Sequence, residues 1–598
     1  MKPLRKLPDS HRQGGRGAAY DAHEVEARWQ AEWERAGCHR APDVPSGDKF
    51  FVHDSTPFPN GPLHLGHVRT YVLGDVTARY QRLLGKCVLY HTGFDSFGLP
   101  IELEAHEQGI APGELVRRSI VEQTRQLKRL GISYDWSRVA DTSDPQTYRW
   151  TQWLFLEMVK AGLLERRDAP LNWCPRCETT LARLQVEDGR CWRCGTQVET
   201  RKFPQWCISI SRYARRLRRS LDDLTEWSER SKRTLAGILD DRPVEGQGRG
   251  QGGVDWLVSR QRSWGTPIPM VHCEDCGAVR VRASNLPVVL PDTVNWASGS
   301  GALSRCEEFV RTSCPDCGGP AKRETDTLDC SFDDAWCFFQ TLVLHGASPG
   351  FTRKNLSRWH PVDRCQSGLD TFTWFHLYRF LGVFLHERGL IDDADYIRSF
   401  VGHDMVLADG QKMSKHLGNA VSPDTILETY GADALRVAMM WAAGPQRAFY
   451  WRQEHLEKAA RFLGDVYVLY HRVSETRTQS ASGPRSEGSR KALALVREAR
   501  HTIARVAKFI EEYRPNAGVE ALANLLPRIE VFAARRAQSG RLDPTDGTLL
   551  QGVLDDYAVA LAPFAPHLAE QVWCMSKHRS LVAHARWPTP AWPRVQPR

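Results

Sequence analysis

The sequence predicts an α/β protein whose parallel-sheet part carries two metal knuckles and is followed by an all-helical part. Three observations predict this. A strand-like run, KFFVHDS at 49–55, leads through the turn-rich TPFPNGP at 56–62 into a helical pattern from about Leu63 to Leu84, the strand–loop–helix order of a parallel sheet. Four C-x2-C pairs punctuate the middle of the chain: Cys174/Cys177, Cys191/Cys194, Cys273/Cys276 and Cys314/Cys317. Beyond about residue 445 strand patterns stop and apolar residues recur at helical spacing.

Composition sets the limits. The chain has 598 residues, 41% hydrophobic and 25% charged, a soluble-type composition with length for about four domains. It is no disordered chain, collagen-like fibre or small disulfide scaffold. No run reaches about 18 apolar residues, so no membrane span is expected. Lys+Arg exceed Asp+Glu by 80 to 71, a net +9, which permits a polyanionic partner without requiring one. MKPLRKLPDSHRQGGRG has no apolar core and is not a secretory signal. Paired cysteines then read as reduced metal ligands, and the cytoplasm is the expected compartment.

In order, residues 1–17 read as a basic Gly/Arg tail. DAHEVEARWQAEWERAG at 21–37 reads as an amphipathic helix with Val25, Trp29 and Trp33 on one face. The first α/β unit falls in 18–168 and the first knuckle in 169–200. A connecting region, 201–325, holds the second knuckle (272–320) and a Gly/Gln/Arg-rich connector (239–254). A second α/β stretch covers 326–445, helices 446–590 and a Pro-rich tail 591–598. Leu456, Ala460, Leu463 and Tyr467, and again Leu550, Leu554, Tyr557 and Leu561, mark helical faces. TRTQSASGPRSEGSR at 476–490 reads as a loop.

Two short segments carry chemistry. His64-Leu65-Gly66-His67 opens the helix after the first strand. A helix N-terminus attracts phosphate through its free N–H groups; two imidazoles at i, i+3 share one face and can add donors. Gly66 lets a flat base lie against the backbone. Lys412-Met413-Ser414-Lys415 comes after MVLA at 405–408 and suits a mobile phosphate clamp. Each alone reads more readily as a surface histidine pair or a solvated basic turn. Cys174, Cys177, Cys191 and Cys194 fit a tetrahedral zinc knuckle, as do Cys273, Cys276, Cys314 and Cys317 with a longer middle loop. Four thiolates leave no open position, so both sites read as structural.

Together, HLGH and KMSKH resemble the two signatures of class I aminoacyl-tRNA synthetases. The text around them is similar to leucyl-tRNA synthetases: 61–102 nearly throughout, LGISYDWSR (130–138), NWCPRC (172–177), DWLVSRQRSWGTPIPMV (255–271), RETDTLD (323–329), YGADALRVAMMWAAGP (430–445) and APFAPHLAEQVW (562–573). The resemblance implies a Rossmann-like catalytic domain and a helical domain of the anticodon-binding type. It implies ATP, Mg²⁺ and an amino acid as reactants, tRNA as acceptor, and a monomer. It gives roles to residues: His64, His67, Lys412 and Lys415 stabilise the phosphates. Gly66, Gly368, Asp370, Met405 and Val406 bind ATP together with Lys415. Asp95 receives the substrate ammonium, its bland reading being a helix cap.

Three departures stand out. The connector occupies the place of the family's editing insertion, so proofreading in cis is expected to be absent. The family's small C-terminal domain is expected to have no counterpart. The amino-acid pocket reads Ser55, Thr56, Ser331, Asp334, Cys337 and Thr371 where the family has mostly larger or apolar residues. A leucine pocket works by apolar burial, and a buried carboxylate is costly unless paired. A polar or cationic substrate is therefore weighed against an outward-pointing Asp334. Transfer to a non-tRNA acceptor and a non-enzymatic paralogue are the rival functions.

Overall fold

The computed structural model describes residues 20–176, 179–181, 186–191, 194–240, 255–292, 294, 296, 301–346, 348–369, 374–408, 411–412, 421–476, 490–538 and 544–589. The N-terminal helix α1 (Ala22–Ala36) is capped by Asp21, whose carboxylate accepts from the N–H groups of His23 and Glu24, and stops at Gly37 in the left-handed region, φ 59°. Its buried face is Val25, Trp29 and Trp33.

Strand β1 (Lys49–Asp54) is buried over its last four residues, as a central parallel strand requires. Helix α2 (Leu65–Leu83) and strand β2 (Cys87–Tyr90) come next. Far along the chain lie β3 (Arg364–Gly368), helix α3 (Phe375–Glu387) and β4 (Phe400–His403). All four strands are parallel, in the order β4-β3-β1-β2. The chain leaves β1 to one side through α2 and returns on the other side as β3. The switch point therefore lies at the carboxyl ends of β1 and β3, where open α/β sheets bind ligands.

Two insertions separate β2 from β3. A long antiparallel pair, Leu164–Cys174 with Glu199–Ile208, carries the first cysteine set. The second set sits on a four-stranded antiparallel sheet. Its hairpin turns, after Met270–Cys273 and after Arg311–Ser313, each present one C-x2-C pair.

Helices α4 (Ala432–Trp441), α5 (Gln453–Thr476), α6 (Arg490–Glu511), α7 (Pro515–Gln538), α8 (Pro544–Leu561) and α9 (Pro566–Met575) close the fold. Leu456 and Leu463 are buried, and so are Leu550, Leu554, Tyr557 and Leu561. Ala460 and Tyr467 are half-buried, because Ala459 and Val466 take the core positions beside them. The predicted loop at 476–490 lies outside the described residues except for its helical ends. The helical part is not a separate core: one apolar cluster runs from Val52 and α2 through α4 into α5–α9. Helix α1 crosses the same boundary, with Trp29 Nε1 donating to Gln571 and Trp33 Nε1 to Glu570. No described helix is long and apolar enough to cross a membrane.

Candidate active site

His64 is the N-cap of α2. Its Nδ1 accepts from the Gly66 N–H at 3.1 Å, and His67 Nδ1 accepts from the His64 N–H at 3.3 Å. This is a capping box built from two imidazoles. The rings stack with centroids 3.9 Å apart. With Nδ1 accepting, each neutral ring carries its proton on Nε2. Gly66 has a further role that the sequence did not reveal. A Cβ there would stand 2.8 Å from His64 Cε1, so glycine makes room for the folded-back cap.

Sequence-distant segments meet this corner. Thr70, one turn into α2, bonds His403 Nε2 at the end of β4 at 2.8 Å, and His403 pairs in register with Gly368 at the end of β3. Arg69 donates to the carbonyls of Gly444, Pro445 and Arg447 and lies over the Phe449 ring. Phe449 N–H in turn donates to Met405 O. Val406 is buried in a strand, Val406–Ala408, that pairs with Phe449–Tyr450 and with Gln411–Lys412. The hairpin that ends in Lys412 is thus rooted on α2. Lys415 lies outside the described residues, as do Asp370, Thr371 and the side chain of Lys412. Arg69, Thr70 and His403 were missed by sequence reasoning, since no local pattern marks them.

The second wall is acidic. Ser55 N–H donates to Gln366 O at 3.2 Å, and the Asp95 N–H donates to Pro57 O at 3.0 Å, tying the loop after β1 to β3 and to the GFDSFG segment. Asp95 caps no helix; the next helix, Leu99–Gln108, has Gly98 at its N-cap. Asp95 is 4% exposed and its Oδ1 has no hydrogen-bond partner among the described residues. Burial, then the Asp334, Asp333 and Asp329 carboxylates, push its pKa well above the usual range. Ser331 and Asp334 lie on the short helix Cys330–Asp334, and buried Cys337 opens the next one. Asp334 accepts from the Tyr378 hydroxyl on α3; burial raises its pKa against the lowering effect of Tyr378 and of the nearby Thr56 and Cys337. Asp334 therefore faces inward, against Thr56. Tyr378 was a further residue that the sequence did not single out.

In the second knuckle the sulfurs of Cys273, Cys276, Cys314 and Cys317 lie within 4.8 Å of one another. In the first, Cys174, Cys191 and Cys194 do the same; Cys177 lies outside the described residues. The described cysteines form no disulfide. The second set suits tetrahedral thiolate coordination, and the three described sulfurs of the first suit three of its positions.

A helix-cap imidazole pair at the switch point of a parallel sheet, joined to a helical domain, defines a nucleotide-using enzyme of the class I synthetase fold. Known proteins agree with this. Residues 28–452 match the family described as tRNA synthetases class I (I, L, M and V), and residues 493–596 match the anticodon-binding domain of tRNA ligase. The leucine–tRNA ligase of Thermotoga maritima is 30% identical, covering 95% of this chain and 91% of its own. That of Symbiobacterium thermophilum is 30% identical with the same coverage. Among solved structures, the agnB2 LeuRS of Agrobacterium radiobacter K84, in a ternary LeuRS–tRNA–LeuAMS complex, superposes with TM-score 0.84 at 26% identity, covering 95% of this chain and 90% of that one. A Mycobacterium tuberculosis methionyl-tRNA synthetase with methionyl-adenylate shares the fold, with TM-score 0.65 at 18% identity, covering 88% of this chain and 93% of that one. The chain belongs to the class I tRNA synthetases and is a ligase of the leucine–tRNA ligase type.

Proposed function

We propose that this protein activates an amino acid as its adenylate and passes the acyl group to tRNA, without proofreading in cis. The observation that carries the reading is the meeting of α2, β3 and β4 at one corner, through Thr70–His403 and the Gly368–His403 register. ATP enters as its Mg²⁺ complex. A carboxylate oxygen of the amino acid attacks the α-phosphorus in line, and the bond to pyrophosphate breaks. Positioning and charge neutralisation carry such a step. His64 and His67 donate from Nε2 to phosphate oxygens, while Lys412 and Lys415 hold the departing pyrophosphate. Gly66, Gly368, Asp370, Met405 and Val406 line the adenosine, and Asp95 holds the substrate ammonium. The ribose of a tRNA terminus then attacks the acyl carbon and releases AMP.

Two features support the absence of cis editing. The alignment with the T. maritima ligase extends over 761 positions, more than the 598 residues of this chain. The helix Glu229–Leu239 and the strand Trp256–Leu257 are joined by a connection far shorter than a domain. Cysteine pairs spaced as metal ligands, and the family's work in translation, favour the cytoplasm. The test is ATP–pyrophosphate exchange with an amino-acid panel, then charging of bulk tRNA. Exchange and charging support the reading; exchange without charging removes tRNA as the acceptor.

Gly66→Ala is expected to displace His64 from its cap. Turnover of exchange should fall about tenfold or more, with a stability loss of no more than about 2 kcal/mol, the range for losing a cap. Exchange kinetics and a denaturation curve on the same sample check both.

The two cysteine sets would hold structural zinc, whose binding energy is folding energy for the small knuckles. Metal analysis is expected to give two zinc ions per chain. Cys276→Ser should lower this by one. Exchange turnover should survive that change better than heat stability does, because a closed four-thiolate site leaves no position for substrate.

A further inference from the structure

We infer that the amino acid taken by this cleft carries a second cationic group on its side chain, an ammonium or guanidinium seated on Asp334, besides the α-ammonium seated on Asp95. The inference rests on the adenylation reading above and names its substrate class.

The carboxylates of this wall outnumber the cations that pair with them among the described residues. Four carboxylates cluster here: Asp95, Asp329, Asp333 and Asp334. Asp329 is paired with Arg260 at 2.5 Å. Asp333 is buried, with Oδ1 accepting from the hydroxyls of Thr151 at 2.8 Å and Thr266 at 2.7 Å; its Oδ2 has no partner among the described residues, and burial pushes its pKa up to about 8, so it stays mainly protonated at neutral pH and calls for no cation. Asp95 and Asp334 form no ion pair among the described residues. The strongest charges acting on Asp95 are other carboxylates. Among the described residues Asp334 meets neutral groups: it accepts from the Tyr378 hydroxyl, with Thr56 and Cys337 beside it. Two neighbouring carboxylates in a low-dielectric wall cannot both ionise without cations beside them. The unpartnered, buried Asp95 Oδ1 marks where one donor is missing, and one α-ammonium satisfies that position only. Asp334 still lacks a cation among the described residues.

Shape agrees with charge. Ser55, Thr56, Ser331 and Cys337 are small, and the Tyr378 hydroxyl orients the Asp334 carboxylate. The wall therefore has room for a side chain with a polar end. A leucine side chain would instead desolvate the carboxylate and offer it nothing.

The test uses the full-length protein in ATP–pyrophosphate exchange. The panel is lysine, ornithine, 2,4-diaminobutyrate, 2,3-diaminopropionate and arginine, against leucine, norleucine, threonine and homoserine. One cationic member is expected to exceed leucine and every neutral member by about 100-fold or more in kcat/KM, as a site built for a polar group discriminates. Asp334→Asn should raise the KM for that substrate more than tenfold with a smaller change in kcat. Asp334→Ser should move preference toward leucine, and thermal melts of both variants verify folding. Preference of the wild-type protein for leucine or a hydroxyl side chain overturns the inference and leaves adenylation standing. A cationic substrate whose KM ignores both substitutions overturns the seat on Asp334. Silence of the whole panel overturns this inference and the adenylation reading together.

Discussion

Replacing His67 with alanine is expected to lower the turnover of amino-acid-dependent pyrophosphate exchange by about 10²–10³-fold, roughly 3–4 kcal/mol of transition-state stabilisation. The size comes from what the ring is asked to do. Negative charge on the phosphates grows during attack at the α-phosphorus, so a fixed donor gains strength in the transition state. KM for ATP should change less than kcat, the mark of an interaction made mainly at the barrier. The position of the donor is set by the fold. His67 Nδ1 is engaged by the His64 N–H, and the ring is stacked on His64. His67→Asn keeps a short polar group and should recover part of the loss. His64→Ala should cost activity similarly, and in addition remove the cap of α2. Steady-state exchange rates for the three variants decide the matter. Loss confined to KM would mean that the ring binds ATP uniformly and does not act on the reacting phosphate.

The largest expected effect on stability lies beneath the same helix. Asp75 of α2 is fully buried between Arg79 at 2.7 Å and Arg436 of α4 at 2.7 Å. It also accepts from the Ser133 N–H at 2.7 Å. Arg436 reaches on to the carbonyls of Leu130, Pro563 and Phe564. One carboxylate thus fastens the sheet domain to the helical domain. Asp75→Asn keeps the shape and leaves two buried guanidinium groups without their anion. The expected destabilisation is about 3–5 kcal/mol, the cost of removing one member of a buried ionic group. Deleting the exposed pair Glu32–Arg35 should change stability by no more than about 0.5 kcal/mol.

The pH dependence has a definite sign. Burial alone would raise the pKa of Asp75, but Arg79 and Arg436 together with the Ser133 N–H hold it well below the usual range. Its folded value lies below the unfolded one, near about 3.9. The stabilisation is therefore complete above that value and is lost as pH falls through the folded value. The gap between wild type and Asp75→Asn should be full at neutral pH and narrow below about pH 4. Urea unfolding curves at several pH values measure it.

Much of this was legible in the sequence, because the informative signals were local. The strand KFFVHD, the helix opening at His64–His67 and the i, i+4, i+8 face of α1 come from periodicity and end chemistry. The cysteine pairs were legible because hairpin turns set their spacing. What escaped was the long-range pairing. His403 gains meaning only beside Thr70, and Tyr378 only beside Asp334; no spacing rule links positions so far apart. The single core shared by α2 and α5–α9 escaped for the same reason: apolar faces reveal that a helix is packed, not what it packs against. Gly66 had a second cause that only the folded-back ring of His64 could supply.

The central claim is that a carboxylate is activated on the α-phosphorus of ATP in this cleft. It is tested most directly by tracing one oxygen atom. The amino acid selected by exchange is labelled with ¹⁸O in its carboxylate and carried through one round of tRNA charging. The AMP released is then weighed by mass spectrometry. Attack by the carboxylate predicts AMP bearing one heavy oxygen, retained when the ribose takes the acyl group. Unlabelled AMP, or ADP in its place, would contradict it.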